Sequence, residues 1–131
     1  MLSIRFHGRG GQDAKTASRI LGTAAFLEGF QAQDSPIYGA ERRGAPVSAY
    51  TRIATEPIRE RGFIAYPDLV VVADASLIQD PPAHVLDGID QETAVFVNFY
   101  IEGIRSSPER QSWRPFVSRS CHTQWVNAIR S

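Results

Sequence analysis

Hydrophobic and polar positions in the first third of the chain predict a strand, a turn and a helix. Residues Leu2–His7 alternate between apolar and polar side chains, which is typical of a β-strand. Apolar residues then recur at three- and four-residue spacing and form one face of a helix. They are Ala14, Ala17, Ile20, Leu21, Ala24, Ala25 and Leu27. Gly29 favours the end of this helix, and a second strand is predicted at Phe30–Gln33.

Three later segments complete the predicted sheet. Leu69–Asp74 and Thr93–Asn98 are apolar with little alternation, as in strands buried on both faces, and Val47–Ile53 is rich in β-branched residues. Strands that alternate with helices indicate an α/β fold. We expect a three-layer, Rossmann-like domain over residues 1–98, with a mostly parallel central sheet and a glycine-rich turn after the first strand. Residues 99–131 lack clear periodicity and are interpreted as a divergent or truncated C-terminal tail.

The predicted turn after the first strand has the sequence GRGGQ, at positions 8–12. Glycines let the backbone approach a ligand closely, and the amino end of the following helix favours an anion, to which Arg9 would add a guanidinium. The alternative is a structural turn in which Asp13 caps the helix and stabilises it by ~1 kcal/mol. Asp13 also stands where a dinucleotide-binding motif has its third glycine, and it would repel a phosphate. Both interpretations stay open at this stage.

A second unusual segment, YGAERRGAPV at positions 38–47, places Glu41, Arg42 and Arg43 between two glycines. Proline and glycine at this density predict a loop over Asp34–Pro46, and long loops in compact domains are often functional. One interpretation is a solvated charged turn. The other is a rigid loop that presents two guanidinium groups to a partner or to an anionic ligand.

Composition excludes several classes of function. Fourteen basic and fourteen acidic residues cancel over 131 positions, which argues against a protein that binds nucleic acid or a membrane surface. The single cysteine, Cys121, can form neither an internal disulfide nor an iron–sulfur cluster, and the three histidines lack metal-ligand spacing. No apolar run is long enough to cross a membrane, and the amino terminus lacks a secretory pattern. We expect a cytoplasmic protein without a metal site.

The glycine turn, the helical sequence TASRIL at 16–21 and the motif at 38–47 occur together in a specific order. In this combination, from Ile4 to about Asn98, the chain closely resembles the gamma subunit of 2-oxoacid:ferredoxin oxidoreductases. The resemblance implies a non-autonomous subunit of an enzyme that oxidatively decarboxylates a 2-oxoacid, typically to acyl-coenzyme A, and passes electrons to ferredoxin. Thiamine diphosphate, magnesium and iron–sulfur clusters then belong to partner subunits. The isolated chain is expected to be inactive and to have no catalytic residue.

The resemblance also gives the two motifs roles. Coenzyme A or a partner subunit is expected at the glycine turn, at Gly8, Arg9, Gly10, Gly11 and Gln12. The thiamine diphosphate-binding subunits are expected to contact Tyr38, Glu41, Arg42 and Arg43. An iron–sulfur subunit of the same complex is a further expected partner, and self-association is another option. Two departures from the family are Asp13, where the family often has glycine, and the unrecognisable sequence after Asn98. Two alternatives remain, a free-standing module that binds a nucleotide or another anion, and an interaction subunit without a ligand.

Overall fold

The computed structural model of the protein describes residues 1–36, 43–98 and 116–118. In these ranges six strands form one mixed sheet, in the order β2-β3-β1-β4-β5-β6. The strands are β1 (Leu2–Arg9), β2 (Gln31–Pro36), β3 (Pro46–Ala54), β4 (Leu69–Val72), β5 (Ala94–Val97) and β6 (Phe116–Ser118). The helix α1 (Ala14–Leu27) follows β1, and two short 3₁₀ helices, Ala75–Gln79 and Pro81–Ala83, follow β4. No helix in the described ranges has the length and apolarity to cross a membrane.

The predicted α/β class is confirmed, but the prediction of a mostly parallel sheet is wrong. β4 runs parallel to β1 and to β5. The other three pairings among the described strands, β1 with β3, β2 with β3 and β5 with β6, are antiparallel. Only residues 37–45 connect β2 to β3. This connection is shorter than the dozen or so residues that a parallel crossover needs, so the chain returns antiparallel beside β2.

Helix α1 covers one face of the sheet through a stripe of small residues. Its buried positions are Ala14, Ser18, Gly22 and Ala25. They let the helix lie close to β1 and β3, where Ile4, Phe6 and Ala49 form the core beneath it. The apolar face predicted from spacing is therefore only partly right, because Ile20 and Leu27 belong to it but are exposed at 64% and 78%.

The opposite face is covered by loops and 3₁₀ helices in the described part of the chain, whereas the three-layer prediction placed helices on both faces. Its apolar core lies over β4 and β5 and consists of Val70, Val72, Leu77, Ala83, Val85 and Val97. Over β1 and β3 the layer is held instead by two buried arginines. Arg5 donates to the carbonyl oxygens of Ile64 (3.3 Å), Val85 (2.9 Å) and Asp87 (2.6 Å). Arg52 donates to those of Gly62 (3.1 Å) and Phe63 (3.2 Å).

Candidate functional site

The glycine turn and the end of the charged segment lie side by side at the carboxyl edge of β1. The backbone N–H of Gly10 donates to the carbonyl of Ala45 at 2.8 Å, and that of Gly44 donates to the carbonyl of Gly10 at 3.2 Å. β2 ends and β3 begins at this same edge, and Arg9 pairs with Pro46 in the sheet. The two motifs that the sequence singled out are thus neighbours in space.

Residues 43–46, which we call the Arg43 turn, are the described part of the predicted interface. Arg43 is exposed to solvent. Gly44 adopts a φ of +85°, in the left-handed region that favours glycine. Tyr38, Glu41 and Arg42, which were predicted to contact a partner, lie outside the described residues.

Two positions of the turn favour glycine for different structural reasons. A Cβ atom at Gly8 would lie 3.0 Å from the Cβ of Ala14, so glycine here lets the start of α1 approach β1. Gly11 has a φ of +94°, and apart from its two chain neighbours no described residue has a heavy atom within 4 Å of the place where its Cβ would be. The turn is closed by Gln12, whose N–H donates to the carbonyl of Arg9 at 2.9 Å, while its Oε1 accepts from the Arg9 N–H at 2.8 Å.

One of the two interpretations left open for the glycine turn, in which the Asp13 side chain caps α1, is wrong. Asp13 stands at the N-cap position but has a left-handed backbone, with φ 55° and ψ 26°, and its side chain makes no capping hydrogen bond. A capping carboxylate needs an extended backbone that turns its oxygens towards the first free N–H groups of the helix. Here only the Asp13 carbonyl joins the helix, by accepting from the N–H of Ala17 at 2.9 Å.

Arg9 is engaged by groups of its own chain. Its Nη2 donates to the Ser76 hydroxyl at 2.9 Å, and its Nη1 donates to the Gly44 carbonyl at 3.0 Å. Carboxylate oxygens of Asp74 and Asp80 lie 3.5 Å from Nε and Nη1, respectively. A phosphate that approached this guanidinium would therefore compete with two carboxylates already in place.

Asp74 follows the carboxyl end of β4 and caps the 3₁₀ helix that begins at Ala75. Its Oδ1 accepts from the N–H of Ser76 at 2.9 Å and from the Ser76 hydroxyl at 2.6 Å. Asp74 Oδ2 also accepts from Gln12 Nε2 at 3.1 Å. These hydrogen bonds, led by the one from the Ser76 side chain, lower the pKa of Asp74. The carboxylate is thus held in its charged form beside Arg9.

Ser76 and Asp80 belong to this edge but were not identified from the sequence. An available signal was the Asp-x-Ser sequence directly after a buried strand, which is typical of an Asx turn. Nothing local indicates Asp80, since its contact with Arg9 depends on the path of the two 3₁₀ helices. Within the described ranges, no group of three or more His, Cys, Asp or Glu side chains is arranged to hold a metal ion.

His7 lies one step below the glycine turn, on the face opposite α1. Its Nδ1 is 3.2 Å from the Ser48 hydroxyl, while its Nε2 is buried without a hydrogen-bond partner. Burial, with a smaller contribution from the Arg5 guanidinium, lowers the pKa of His7 to about 4. The imidazole is therefore neutral at physiological pH and belongs to the interior rather than to the edge.

The family model and the curated relatives that match this chain all belong to oxidoreductases that act on pyruvate or related ketoacids. A family model described as "Pyruvate ferredoxin/flavodoxin oxidoreductase" matches residues 3–130. The chain is 53% identical over 98 residues to the pyruvate/ketoisovalerate oxidoreductases common subunit gamma of Pyrococcus furiosus. It is 50% identical over 98 residues to pyruvate synthase subunit PorC of Methanothermobacter marburgensis. These alignments cover 75% of this chain and 52% and 54% of the relatives, so the chain spans about half their length.

Solved structures have the same fold. The pyruvate oxidoreductase subunit PORC of Thermotoga maritima has a TM-score of 0.62 and 38% identity, over 77% of this chain and 51% of that one. A keto/oxoacid ferredoxin oxidoreductase gamma subunit of Geobacter sulfurreducens has a TM-score of 0.56 and 25% identity, over 73% of this chain and 49% of that one. A 2-oxoglutarate:ferredoxin oxidoreductase of Magnetococcus marinus, at 19% identity and a TM-score of 0.59, shares the fold over 82% of this chain and 18% of that one.

Proposed function

This chain belongs to the pyruvate ferredoxin/flavodoxin oxidoreductase family, and on that premise we propose that it acts as the gamma part of a multi-subunit 2-oxoacid oxidoreductase. The complex would decarboxylate a 2-oxoacid oxidatively, typically to acyl-coenzyme A, and pass the electrons to ferredoxin. Its thiamine diphosphate, magnesium and iron–sulfur clusters would lie in partner subunits. The names of the relatives, a gamma subunit common to two oxidoreductases and a subunit of pyruvate synthase, support this assignment.

The observation that carries the proposal is the hydrogen-bonded contact between the glycine turn and the Arg43 turn. Two separate backbone hydrogen bonds join Gly10 to Ala45 and Gly44. This contact gives the domain one preorganised edge where both motifs of the family meet, with the Arg43 side chain exposed beside them. A preorganised surface loses less conformational entropy when a partner binds. We therefore assign this edge to contact with the thiamine diphosphate-binding subunits.

The chemistry of the edge suits recognition rather than catalysis. Arg9 and Asp74 form an ion pair, and the hydrogen bonds to Asp74 lower its pKa, so this carboxylate is a poor base near neutral pH. His7 is neutral but buried, so it is not accessible from the surface of this chain. In this proposal the chain supports assembly of the complex and access of coenzyme A, while its partner subunits supply the reacting groups.

We extend the proposal to coenzyme A, which would pass over the same edge on its way to the thiamine diphosphate subunits. Gly11 supports this route, because the space beside its Cα is open among the described residues. Asp74 and Asp80 disfavour close contact between phosphates and Arg9. Coenzyme A would therefore contact the backbone of Gly10, Gly11 and Gln12 through its neutral parts.

Helix α1 offers a separate, apolar surface for a partner, at the exposed side chains of Ile20 and Leu27.

Co-expression tests the assignment. The tagged full chain is expected to purify with thiamine diphosphate-binding and iron–sulfur subunits from the same genome. The complex should reduce ferredoxin in the presence of a 2-oxoacid and coenzyme A, and an otherwise identical complex without the chain should lose that activity. Arg43→Ala should weaken co-purification, whereas Arg59→Ala, at another exposed arginine, should not.

Calorimetry separates this function from the free-standing module. The isolated chain should bind neither NAD nor ATP tightly, because the turn lacks the third glycine of a dinucleotide site and carries Asp13 instead. Tight binding of either nucleotide, together with a fully active complex that lacks the chain, would overturn the proposal.

A further inference from the structure

One side chain lies where three turns of the proposed interface meet. Arg9 belongs to the glycine turn, and its guanidinium contacts both the Arg43 turn and residues 74–80, which we call the turn after β4. The contacts to Gly44, Ser76, Asp74 and Asp80 described above use Nε and both terminal nitrogens, since Nε also donates to the Ser76 hydroxyl at 3.2 Å. No other described side chain at this edge joins three turns in this way.

We infer that Arg9 is a positioning residue, which fixes the Arg43 turn against the sheet edge so that Arg43 faces the partner subunit. The inference rests on the proposed function for the identity of that partner. It assigns to the arginine of the glycine turn a role within the chain rather than a role as a ligand for phosphate. The planar fork of arginine suits this role, because one terminal nitrogen reaches the Gly44 carbonyl while the other reaches the Ser76 hydroxyl.

A closed ring of two hydrogen bonds and one ion pair keeps Arg9 in this position. Its own backbone N–H donates to Gln12 Oε1 at 2.8 Å, and Gln12 Nε2 donates to Asp74 Oδ2 at 3.1 Å. The same oxygen of Asp74 lies 3.5 Å from Arg9 Nε, which completes the ring. Each member of the ring is thus held from two sides, so the guanidinium has a defined direction although about a quarter of the side chain is exposed.

The expected effect of removing Arg9 is local. Partly exposed ion pairs contribute little to global stability. The carbonyl of Gly44, by contrast, loses its side-chain donor, and the Arg43 turn keeps its backbone hydrogen bonds with Gly10 and the strand pairing at Pro46. Local opening of this turn should therefore increase while the sheet stays folded.

Trypsin measures that opening, because the bond after Arg43 lies inside the turn. The bond after Arg61 is the internal reference in the same molecule, since the neighbouring Gly62 carbonyl is held by Arg52 instead. In the full chain, Arg9→Ala should raise the cleavage rate after Arg43 relative to Arg61 by about tenfold, as the open population grows. Arg9→Lys, which keeps the charge but loses the fork, should also raise it. Arg19→Ala, at an exposed arginine on α1, should leave it unchanged.

Ser76→Ala tests the same link from the other side and should raise the ratio even if Arg9→Ala fails to fold. An unchanged ratio in Arg9→Ala and Ser76→Ala, or full rescue by Arg9→Lys, would overturn the positioning role. Arg9→Ala should also lower co-purification with the partner subunits as the ratio rises. A raised ratio with unchanged co-purification would contradict the role in docking. The trypsin digest needs no partner subunit. It therefore tests the positioning role of Arg9 even if the proposed function is wrong.

Discussion

The hydroxyl groups of Ser18 on α1 and Thr51 on β3 lie 2.8 Å apart in the buried interface between helix and sheet. Thr51 Oγ1 also lies 3.1 Å from the Ser18 carbonyl oxygen, and Ser18 Oγ lies 3.2 Å from that of Tyr50. The two hydroxyl protons can serve two of these three contacts at a time. This polar link fixes the helix along the strand, because a shift by one residue would leave buried hydroxyls without partners.

Ser18→Ala should therefore destabilise the fold by about 1 kcal/mol, the usual net value of one buried hydrogen bond. Thr51 keeps its hydrogen bond to the Ser18 carbonyl in this variant, so a larger loss is not expected. Unfolding in urea measures the difference. Thr16→Ala, at an exposed position of the same helix, is the control and should shift the free energy of unfolding by less than about 0.5 kcal/mol.

Two glycines, Gly22 within α1 and Gly8 against its first turn, should respond to alanine with changes of opposite sign in the free energy of unfolding. At Gly22 a Cβ would have ordinary contacts, 3.8 Å from Asp34 and from Thr51, so Gly22→Ala should stabilise the protein by about 0.5–1 kcal/mol through helix propensity. At Gly8 the Cβ would lie 3.0 Å from that of Ala14, so Gly8→Ala should destabilise it by about 1 kcal/mol. Thermal unfolding of both variants tests the pair. Equal signs would contradict the packing of α1 described here.

Helix α1 also shows how far the sequence could predict the fold. Its length was predictable because apolar residues recur at helical spacing from Ala14 to Leu27. Its buried stripe was not, because burial follows small size at Ser18 and Gly22 rather than hydrophobicity. The mixed sheet was missed for a related reason. Local pattern identifies strands, whereas the insertion of β3 between β2 and β1 is decided by distant pairing.

The candidate site was predictable to a similar degree. Both motifs were found from glycine and charge patterns, and the structure brings the glycine turn and the Arg43 turn together. The partners of Arg9 were not predictable, since Asp80 lies 71 positions away in sequence and no period relates the two. Only the tertiary fold brings Arg9 and Asp80 together.

Arg5 is expected to be among the most sensitive positions in the chain. It is 4% exposed, and its guanidinium serves three carbonyl oxygens of the covering loops. Arg5→Ala should destabilise the protein by about 3 kcal/mol or more, because buried carbonyls lose their donors and a cavity remains. Arg59→Ala is the exposed control. Urea unfolding with a loss below about 1 kcal/mol for Arg5→Ala would show that these carbonyls find other donors.

The pH dependence of stability should report His7. Because its folded pKa is lowered to about 4 from the ordinary 6.5, the unfolded chain binds a proton more readily than the folded one between these values. The contribution of His7 to the free energy of unfolding should therefore be fully present above pH 6.5. It should be lost as the pH falls towards 4, which lowers the stability by up to about 3 kcal/mol. The low pKa of Asp74 acts in a lower window, since its contribution is lost only below about pH 4.

Replacement of His7 by a neutral side chain isolates this effect. His7→Gln keeps a polar group that can reach Ser48 but has no proton to gain between pH 4 and 6.5. Its free energy of unfolding, measured in urea at pH 7.5 and pH 5, should change less than that of the unaltered chain. Arg5 lies on the same face and adds a positive charge that opposes protonation, so the slope in the unaltered chain has two causes of the same sign. An equal slope in both proteins would place the titrating group elsewhere.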